Sequence, residues 1–272
     1  METATLSARR AARSPWAQLL GRLGFAAKGV LYAIVAVIAI KVAAGQGGNP
    51  EDQKGALATL ADEPFGMVLL VALALGLSGY ALWRLVEVVV GQRDKDGVED
   101  YAERAASVGR AIVYGALAAF AWAIVAGSGG GASSSGSEKQ QTAMVLDWPG
   151  GLALVTIVGI IVIAIAVYQG YEAATHGFLD DLELARMSEN ERRTATFLGT
   201  IGHAARGVVF ALIGVFLVKA AFEYDPSEAI GLDGALKELA GQPYGSALLG
   251  LVATGLLLYA LYCLVEARYR KL

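Results

Sequence analysis

Six apolar stretches of roughly 20 residues each dominate the 272-residue chain: Leu23–Ala44, Phe65–Val90, Val108–Ala126, Gly150–Tyr171, Ile201–Phe222 and Tyr244–Val265. A helix needs about 20 residues to cross a hydrocarbon layer of ~30 Å, so each stretch is long enough to span a bilayer. One such stretch could be a buried helix of a soluble domain. Six in one chain cannot all be buried there, because a soluble fold of this size needs far more polar surface. Charged residues make up 17% of the chain and hydrophobic ones 56%, where soluble domains carry about 25% charged residues. The expected class is an all-α integral membrane protein of six transmembrane helices. The first stretch follows arginines and ends near Ala43-Ala44-Gly45, as a signal peptide does. Its pattern recurs at Ile201–Phe222, so it is read as a retained helix.

The net charge of −3 gives no basic field for nucleic acid. Cys263 is the single cysteine, which rules out an internal disulfide and leaves no cysteine-based metal centre. His176 and His203 stand in different segments, with no carboxylate pattern around them. No metal site, no cofactor, no Ser/His/Asp elbow and no catalytic residue is read from the sequence. The Gly127–Ser137 segment lacks the Gly-Lys-Ser/Thr of a phosphate loop and reads as a flexible linker.

Basic residues alternate between the loops. Seventeen of the 22 fall on one side: Arg9, Arg10, Arg13, Arg22 and Lys28; Arg84, Arg93, Lys95, Arg104 and Arg110; Arg186, Arg192, Arg193 and Arg206; Arg268, Arg270 and Lys271. Lys41, Lys54, Lys139, Lys219 and Lys237 fall on the other. The positive-inside rule then places both termini in the cytoplasm, in a multi-pass protein of the plasma (inner) membrane.

The chain repeats itself. Gly24-Phe-Ala-Ala-Lys28-Gly-Val-Leu-Tyr32 matches Gly202-His-Ala-Ala-Arg206-Gly-Val-Val-Phe210, and Lys41 and Lys219 follow at the same offset. Gly55–Gly66 matches Gly234–Gly245, continuing through Gly76, Tyr80 and Glu87 against Gly255, Tyr259 and Glu266. A middle copy keeps Arg110, Tyr114 and Pro149-Gly-Gly151. Counted from Pro64, Pro149 and Pro243, an aromatic falls 19 residues on (Trp83, Tyr168, Tyr262) and a glutamate 23 residues on (Glu87, Glu172, Glu266). A two-helix unit returns the chain to its starting side. The copies are therefore parallel, and three of them predict a pseudo-threefold axis along the membrane normal. The expected organisation is a tail 1–19, repeat 1 over 20–91, a linker 92–104, repeat 2 over 105–175, a linker 176–197 and repeat 3 over 198–272. Pro-x-Gly is expected to open each second helix, with the proline in its first turn.

These motifs resemble a bacterial, actinobacterial-type membrane family catalogued as domain of unknown function 1206. They are the basic-Gly-x-x-Tyr start, the Gly-Ala-Leu…Pro-Phe-Gly segment and the Gly-Tyr-Ala-Leu-Trp-Arg-Leu-Val-Glu end. The resemblance runs from about Leu20 to Leu272, strongly in the outer copies and weakly in the middle one. It implies six membrane helices in three pairs and carries no activity to transfer.

Lys28, Arg110 and Arg206 begin the odd helices and Glu87, Glu172 and Glu266 end the even ones, so opposite charges share one depth. Three intra-repeat pairs are expected: Lys28–Glu87, Arg110–Glu172 and Arg206–Glu266, with the basic stems snorkelling outward. The same ring could bind an ion, a solute or a lipid headgroup. Tyr32, Tyr114, Trp83, Tyr168, Tyr171 and Tyr262 are expected near the cytoplasmic interface as an aromatic belt, and Phe210 flanks the ring at the place in repeat 3 that Tyr32 holds in repeat 1. Ala72, Gly76 and Gly79 allow close helix packing. Gly55–Glu63 and Gly234–Gln242 predict short helices on the outer face, replaced in the middle copy by the linker and Ala143–Leu146. Asp180–Arg193 predicts a short amphipathic helix, and Arg93–Glu103 a charged connector. No charge falls in the middle of any span. The expected role is accordingly a non-enzymatic membrane scaffold or complex component, partnered by the bilayer and another membrane protein. A small transporter or channel with a charged cytoplasmic vestibule is the alternative. A lipid-acting enzyme would need polar groups clustered at one interface.

Overall fold

A computed structural model describes residues 15–46, 48–90, 98–128 and 134–271. Arg9, Arg10, Arg13, Arg93 and Lys95, with residues 1–14 of the expected tail and 92–97 of the first linker, lie outside them. The described chain is helical, and Leu182 and Arg270 meet in one isolated antiparallel bridge. Its helices are α1 (Pro15–Ala43), α2 (Gln53–Ala61), α3 (Gly66–Val90), α4 (Val98–Val125), α5 (Ser134–Leu146), α6 (Gly151–Thr175), α7 (Glu189–Phe222), α8 (Leu232–Gly241) and α9 (Gly245–Tyr269). Six of them (α1, α3, α4, α6, α7 and α9) are long and apolar enough to cross a membrane. Each covers one of the six apolar stretches to within one residue. The other three lie between the two long helices of each repeat. The first and last described residues, Pro15 and Lys271, lie at one end of the bundle, called here the terminal end. The short helices lie at the far end.

The short-helix-to-long-helix turn is the same in all three copies. Phe65, Gly150 and Tyr244 follow the three prolines with φ of 63, 85 and 62°. The next residue is Gly66, Gly151 or Gly245. A Cβ there would come within 1.7, 1.8 or 2.0 Å of a carbonyl oxygen of the preceding short helix. Only glycine permits that approach, and the left-handed residue before it reverses the chain. The prolines therefore lie in the turn and not inside the helix, because the helices start two residues later than the Pro-first reading requires. The helix α5 also corrects the reading of the middle copy. Ser134–Ser137 are helical rather than linker, so all three repeats carry a short far-end helix. In the outer copies these helices bury Ala56-Leu57 and Ala235-Leu236 completely.

Around the bundle the long helices pack in the order α4, α3, α1, α9, α7, α6. The closest packing recurs three times between the second helix of one repeat and the first of the next: α3 on α4, α6 on α7, α9 on α1. This recurrence is the pseudo-threefold relation. Within repeats, α1 packs on α3 and α7 on α9, but α4 and α6 are not packed along their lengths. The six helices thus form a crescent open between α4 and α6. Burial follows this order. In the apolar windows of α1, α3 and α9, 56, 56 and 50% of residues are buried, against 28, 22 and 33% in α4, α6 and α7.

Side-chain size explains the opening. In repeat 1, Gly24 sits against the backbone of Tyr80, and Gly76 against Ala27; a Cβ on either glycine would clash, at 2.6 and 2.5 Å. In repeat 3, Gly202 meets Tyr259 and Gly255 meets Ala205 in the same way, at 2.7 and 2.4 Å. Small residues at these crossings let the helix axes approach closely. The middle repeat has Ala106, Ile161 and Ile165 where the outer copies have Gly24/Gly202, Gly76/Gly255 and Tyr80/Tyr259. Isoleucine at the crossing holds the helices apart. Gly109, which matches Ala27 and Ala205, has nothing within 4 Å of its Cβ position.

The Asp180–Arg193 segment is not one amphipathic helix. Short 3-10 turns at Gly177–Leu179 and Leu184–Arg186 precede α7, which begins with a Ser188/Glu191 capping box. Phe178, Leu182 and Met187 are buried. The backbone amides of Glu183 and Lys271 donate to the carbonyls of Tyr269 and Asp181, at 2.7 and 2.9 Å. The segment straps the C-terminus to the bundle, since its apolar residues do not repeat at helical spacing.

Candidate functional site

The charged residues gather in the terminal half of the crescent. Tyr259 lies ten residues inside the terminal end of α9, about 15 Å at 1.5 Å per residue. Basic side chains reach this level. Lys28 Nζ on α1 donates to Glu266 Oε2 on α9 at 3.2 Å, and both groups are buried. The same ammonium lies 5.1, 5.2 and 5.8 Å from the ring centres of Tyr259, Phe25 and Tyr80. The negative faces of these rings replace part of the water that the cation has lost. Glu266 Oε1 also accepts from Arg270, whose other Nη meets Asp181 at 2.9 Å. Burial disfavours the charged Arg270 guanidinium, but Asp181 and Glu266 outweigh it and hold its pKa well above the ordinary value.

On the other side, Arg84 of α3 bonds Glu87 one turn on and donates to the Tyr80 hydroxyl at 2.7 Å. Glu87 also accepts from Trp83 Nε1 at 3.1 Å and from Ser107 of α4 at 3.3 Å. Arg206 of α7 donates to the Tyr259 hydroxyl at 2.7 Å. Its guanidinium carbon lies 4.3, 5.2 and 5.7 Å from the ring centres of Tyr259, Phe210 and Tyr32.

The expected intra-repeat pairs do not form in the outer copies. Lys28 takes Glu266 of repeat 3 rather than Glu87, and Arg206 takes a phenol rather than Glu266. For Lys28 the cause is the packing order, since the closest neighbour of α1 is α9 of repeat 3. Helices α4 and α6, which bear Arg110 and Glu172, do not pack. The basic stems do not all snorkel outward either, because Lys28 and Arg206 turn into the aromatic centre. Of the expected belt, Tyr32, Trp83, Tyr114 and Tyr262 are buried inside the bundle, and the flanking Phe210 is half-buried. Tyr168 and Tyr171 are exposed.

Sequence reading missed Arg84, Arg270 and Phe25 as members of the site. A signal was present for Arg84, because Tyr80 and Arg84 stand four apart on one helical face. Arg270 gave none, as its partner Asp181 comes from a distant strap. Both histidines are accounted for without a ligand. His203 bonds the Gly199 carbonyl at 2.8 Å and stacks on Phe178. His176 caps α6 in a left-handed conformation.

The repeated hairpin also identifies the chain. A family model described as Domain of Unknown Function (DUF1206) matches it three times, over residues 23–91, 105–176 and 201–270. The chain belongs to the DUF1206 family. A DUF1206-length relative from Bacillus subtilis (strain 168), described as "Uncharacterized protein YxxB", is 33% identical over 262 residues, covering 95% of this chain and 93% of the relative. The family likeness is therefore not confined to actinobacterial-type sequences. No solved structure matches. Each DUF1206 match takes in one basic residue and one glutamate of the charged ring, so the ring is spread over all three copies.

Proposed function

We propose that this protein is a non-conducting, non-enzymatic component of the plasma membrane that holds other membrane constituents, with both termini in the cytoplasm. One observation carries the reading: apolar side chains fill the far half of the bundle between α1, α3 and α9. Val35, Ala39, Leu70, Leu73, Leu249, Val252 and Leu256 fill it and are all buried, with α2 and α8 laid across its end. The charges of the terminal half end in pairs or on rings, with no hydrated route beyond them. Opening one would mean placing water or ions in an apolar core, at a cost of several kcal/mol per desolvated charge. The seventeen-to-five bias in basic residues supports cytoplasmic termini. In the polar cluster at the terminal end Glu87 and Glu266 meet cations and His203 meets a backbone carbonyl, which supports a structural role for them.

Reconstituted proteoliposomes test this directly. No flux of protons, K⁺, Cl⁻ or phosphate above empty vesicles is expected, and mild-detergent purification should retain a stoichiometric membrane partner or lipid. Saturable flux would replace the reading with the transporter alternative. Cleavage of a C-terminal tag by protease added to intact spheroplasts would reverse the orientation.

A further inference from the structure

Lys28, Arg84, Arg206 and Arg270 lie over the central rings of Phe25, Tyr80 and Tyr259, and among the described residues three of these four meet carboxylates. Lys28 has Glu266, Arg84 has Glu87, and Arg270 has Glu266 and Asp181. Arg206 meets none within 4 Å; its polar partner is the neutral hydroxyl of Tyr259, and its Nε is buried with no hydrogen-bond partner. By the repeat relation, Lys28 bonded to Glu266 should be echoed by Arg206 bonded to Glu172 of α6. That bond is absent. A guanidinium kept charged in a low-dielectric setting, without a counter-charge, is costly. It is also well shaped to take a phosphate or carboxylate through two parallel N–H donors.

The missing counter-charge lies on the side of the crescent that is open. Between α4 and α6, Val113 is 56% exposed, whereas its repeat equivalents Leu31 and Val209 are 0 and 3% exposed. Ile161 and Ile165 opposite are 52 and 41% exposed, and Gly109 faces empty space. The cleft is therefore apolar along its length. Arg206 adjoins α6, since the Cβ position of the next residue, Gly207, lies 3.3 Å from the Ala166 carbonyl oxygen and 3.5 Å from Gln169 Cβ of that helix. An apolar slot open to the bilayer, with an uncompensated arginine beside its terminal-end mouth, matches an anionic amphiphile.

We propose that the α4/α6 cleft holds one anionic phospholipid, its acyl chain against Val113, Ile161 and Ile165 and its phosphate on Arg206. The side chain of Arg206 leans toward the N-terminus of α7, that is, toward the terminal end where headgroups lie. The bound phosphate supplies the charge that Glu266 supplies to Lys28. The middle repeat has diverged in the way such a site requires: its small crossing residues are gone, and a lipid takes the place of helix contact. The inference requires the chain to be in a bilayer, but it does not depend on the absence of conduction.

The test uses full-length protein in nanodiscs of phosphatidylcholine, with or without phosphatidylglycerol. Binding is read by native mass spectrometry and by the rise in melting temperature. One phosphatidylglycerol per chain should survive delipidation. Arg206→Gln should reduce its preference over phosphatidylcholine about tenfold or more, the worth of one charge-assisted contact. Ile161→Trp fills the slot without touching Arg206. It should also lose the lipid while folding normally, so a misfolded Arg206→Gln does not leave the question open. Equal retention of both lipids by the wild type overturns the proposal, as does unchanged preference in Ile161→Trp. If inorganic phosphate stabilises the protein as much as phosphatidylglycerol does, the anion is soluble and the lipid assignment fails. A lipid-free dimer cross-linking through α4 and α6 would show that a second copy fills the cleft, and would overturn it too. The flux measurement is independent of every one of these outcomes.

Discussion

Glu266 is the residue on which most of the site's electrostatics turns. It faces Lys28 and Arg270 at once, with all three side chains buried. Removing its charge leaves two cations in an apolar setting. Breaking a buried pair in this way costs about 3–5 kcal/mol. Glu266→Gln is accordingly expected to lower thermal stability in detergent strongly, and Lys28→Met added to it should recover part of the loss. Glu87→Gln with Lys28→Met should show no such coupling, since Glu87 is held by Arg84, Trp83 and Ser107. A double-mutant cycle separates the two arrangements. Coupling to Glu87 instead of Glu266 would place the pairing within the repeat and refute the packing order. The opposite charges at one depth were legible in the sequence. Their pairing was not, because two helices that neighbour in sequence need not be the closest neighbours in space.

At the scale of elements, glycine decides which helices touch. Gly24→Ala places a methyl 2.6 Å from Tyr80 Cβ and 2.7 Å from its Cα. Backbone cannot yield there, so α1 must move off α3, and a loss of roughly 2–4 kcal/mol is expected, the size of an overpacked or emptied core contact. Gly109→Ala, at the position that Ala27 holds in repeat 1, is the control. It meets nothing, and as an interior helix glycine it should gain about 0.5–1 kcal/mol. Thermal melts of the two variants check both signs, and a stabilising Gly24→Ala would contradict the close crossing. The Gly24/Gly202 and Gly76/Gly255 matches were visible as repeats in the sequence. The isoleucines of the middle copy were visible too, but their consequence required knowing which face of α6 they occupy.

For the whole molecule, the claim to test is that the first and last long helices meet. Gly29 of α1 faces α9, where its Cβ position lies 3.1 Å from Cys263 Cβ and 2.9 Å from the Ala260 carbonyl oxygen. A shift of a few tenths of an ångström brings two cysteines there into the roughly 3.5–4.5 Å Cβ separation of a disulfide. Because Cys263 is the chain's single cysteine, Gly29→Cys should oxidise to one defined cross-link under a membrane-permeant oxidant. After cleavage in the Asp180–Arg193 strap, the two fragments should remain joined until reduced. Fragments that separate without reductant would mean that repeats 1 and 3 are not adjacent.

What the amino-acid order determined alone was everything set by periodicity and partition. Six spans, three parallel copies, the sidedness of the basic residues and the far-end short helices of the outer repeats all follow from 20-residue apolar lengths and fixed offsets, which act locally along the chain. The tertiary structure decided what depends on contact. It set the pairing of Lys28 with Glu266, the inward turn of Arg206, the burial of tyrosines expected at the interface, and the opening between α4 and α6. In lipid the apolar effect does not choose which apolar faces meet. That choice falls to small residues, shape and the few buried charges, and it is fixed only when all the helices are in place.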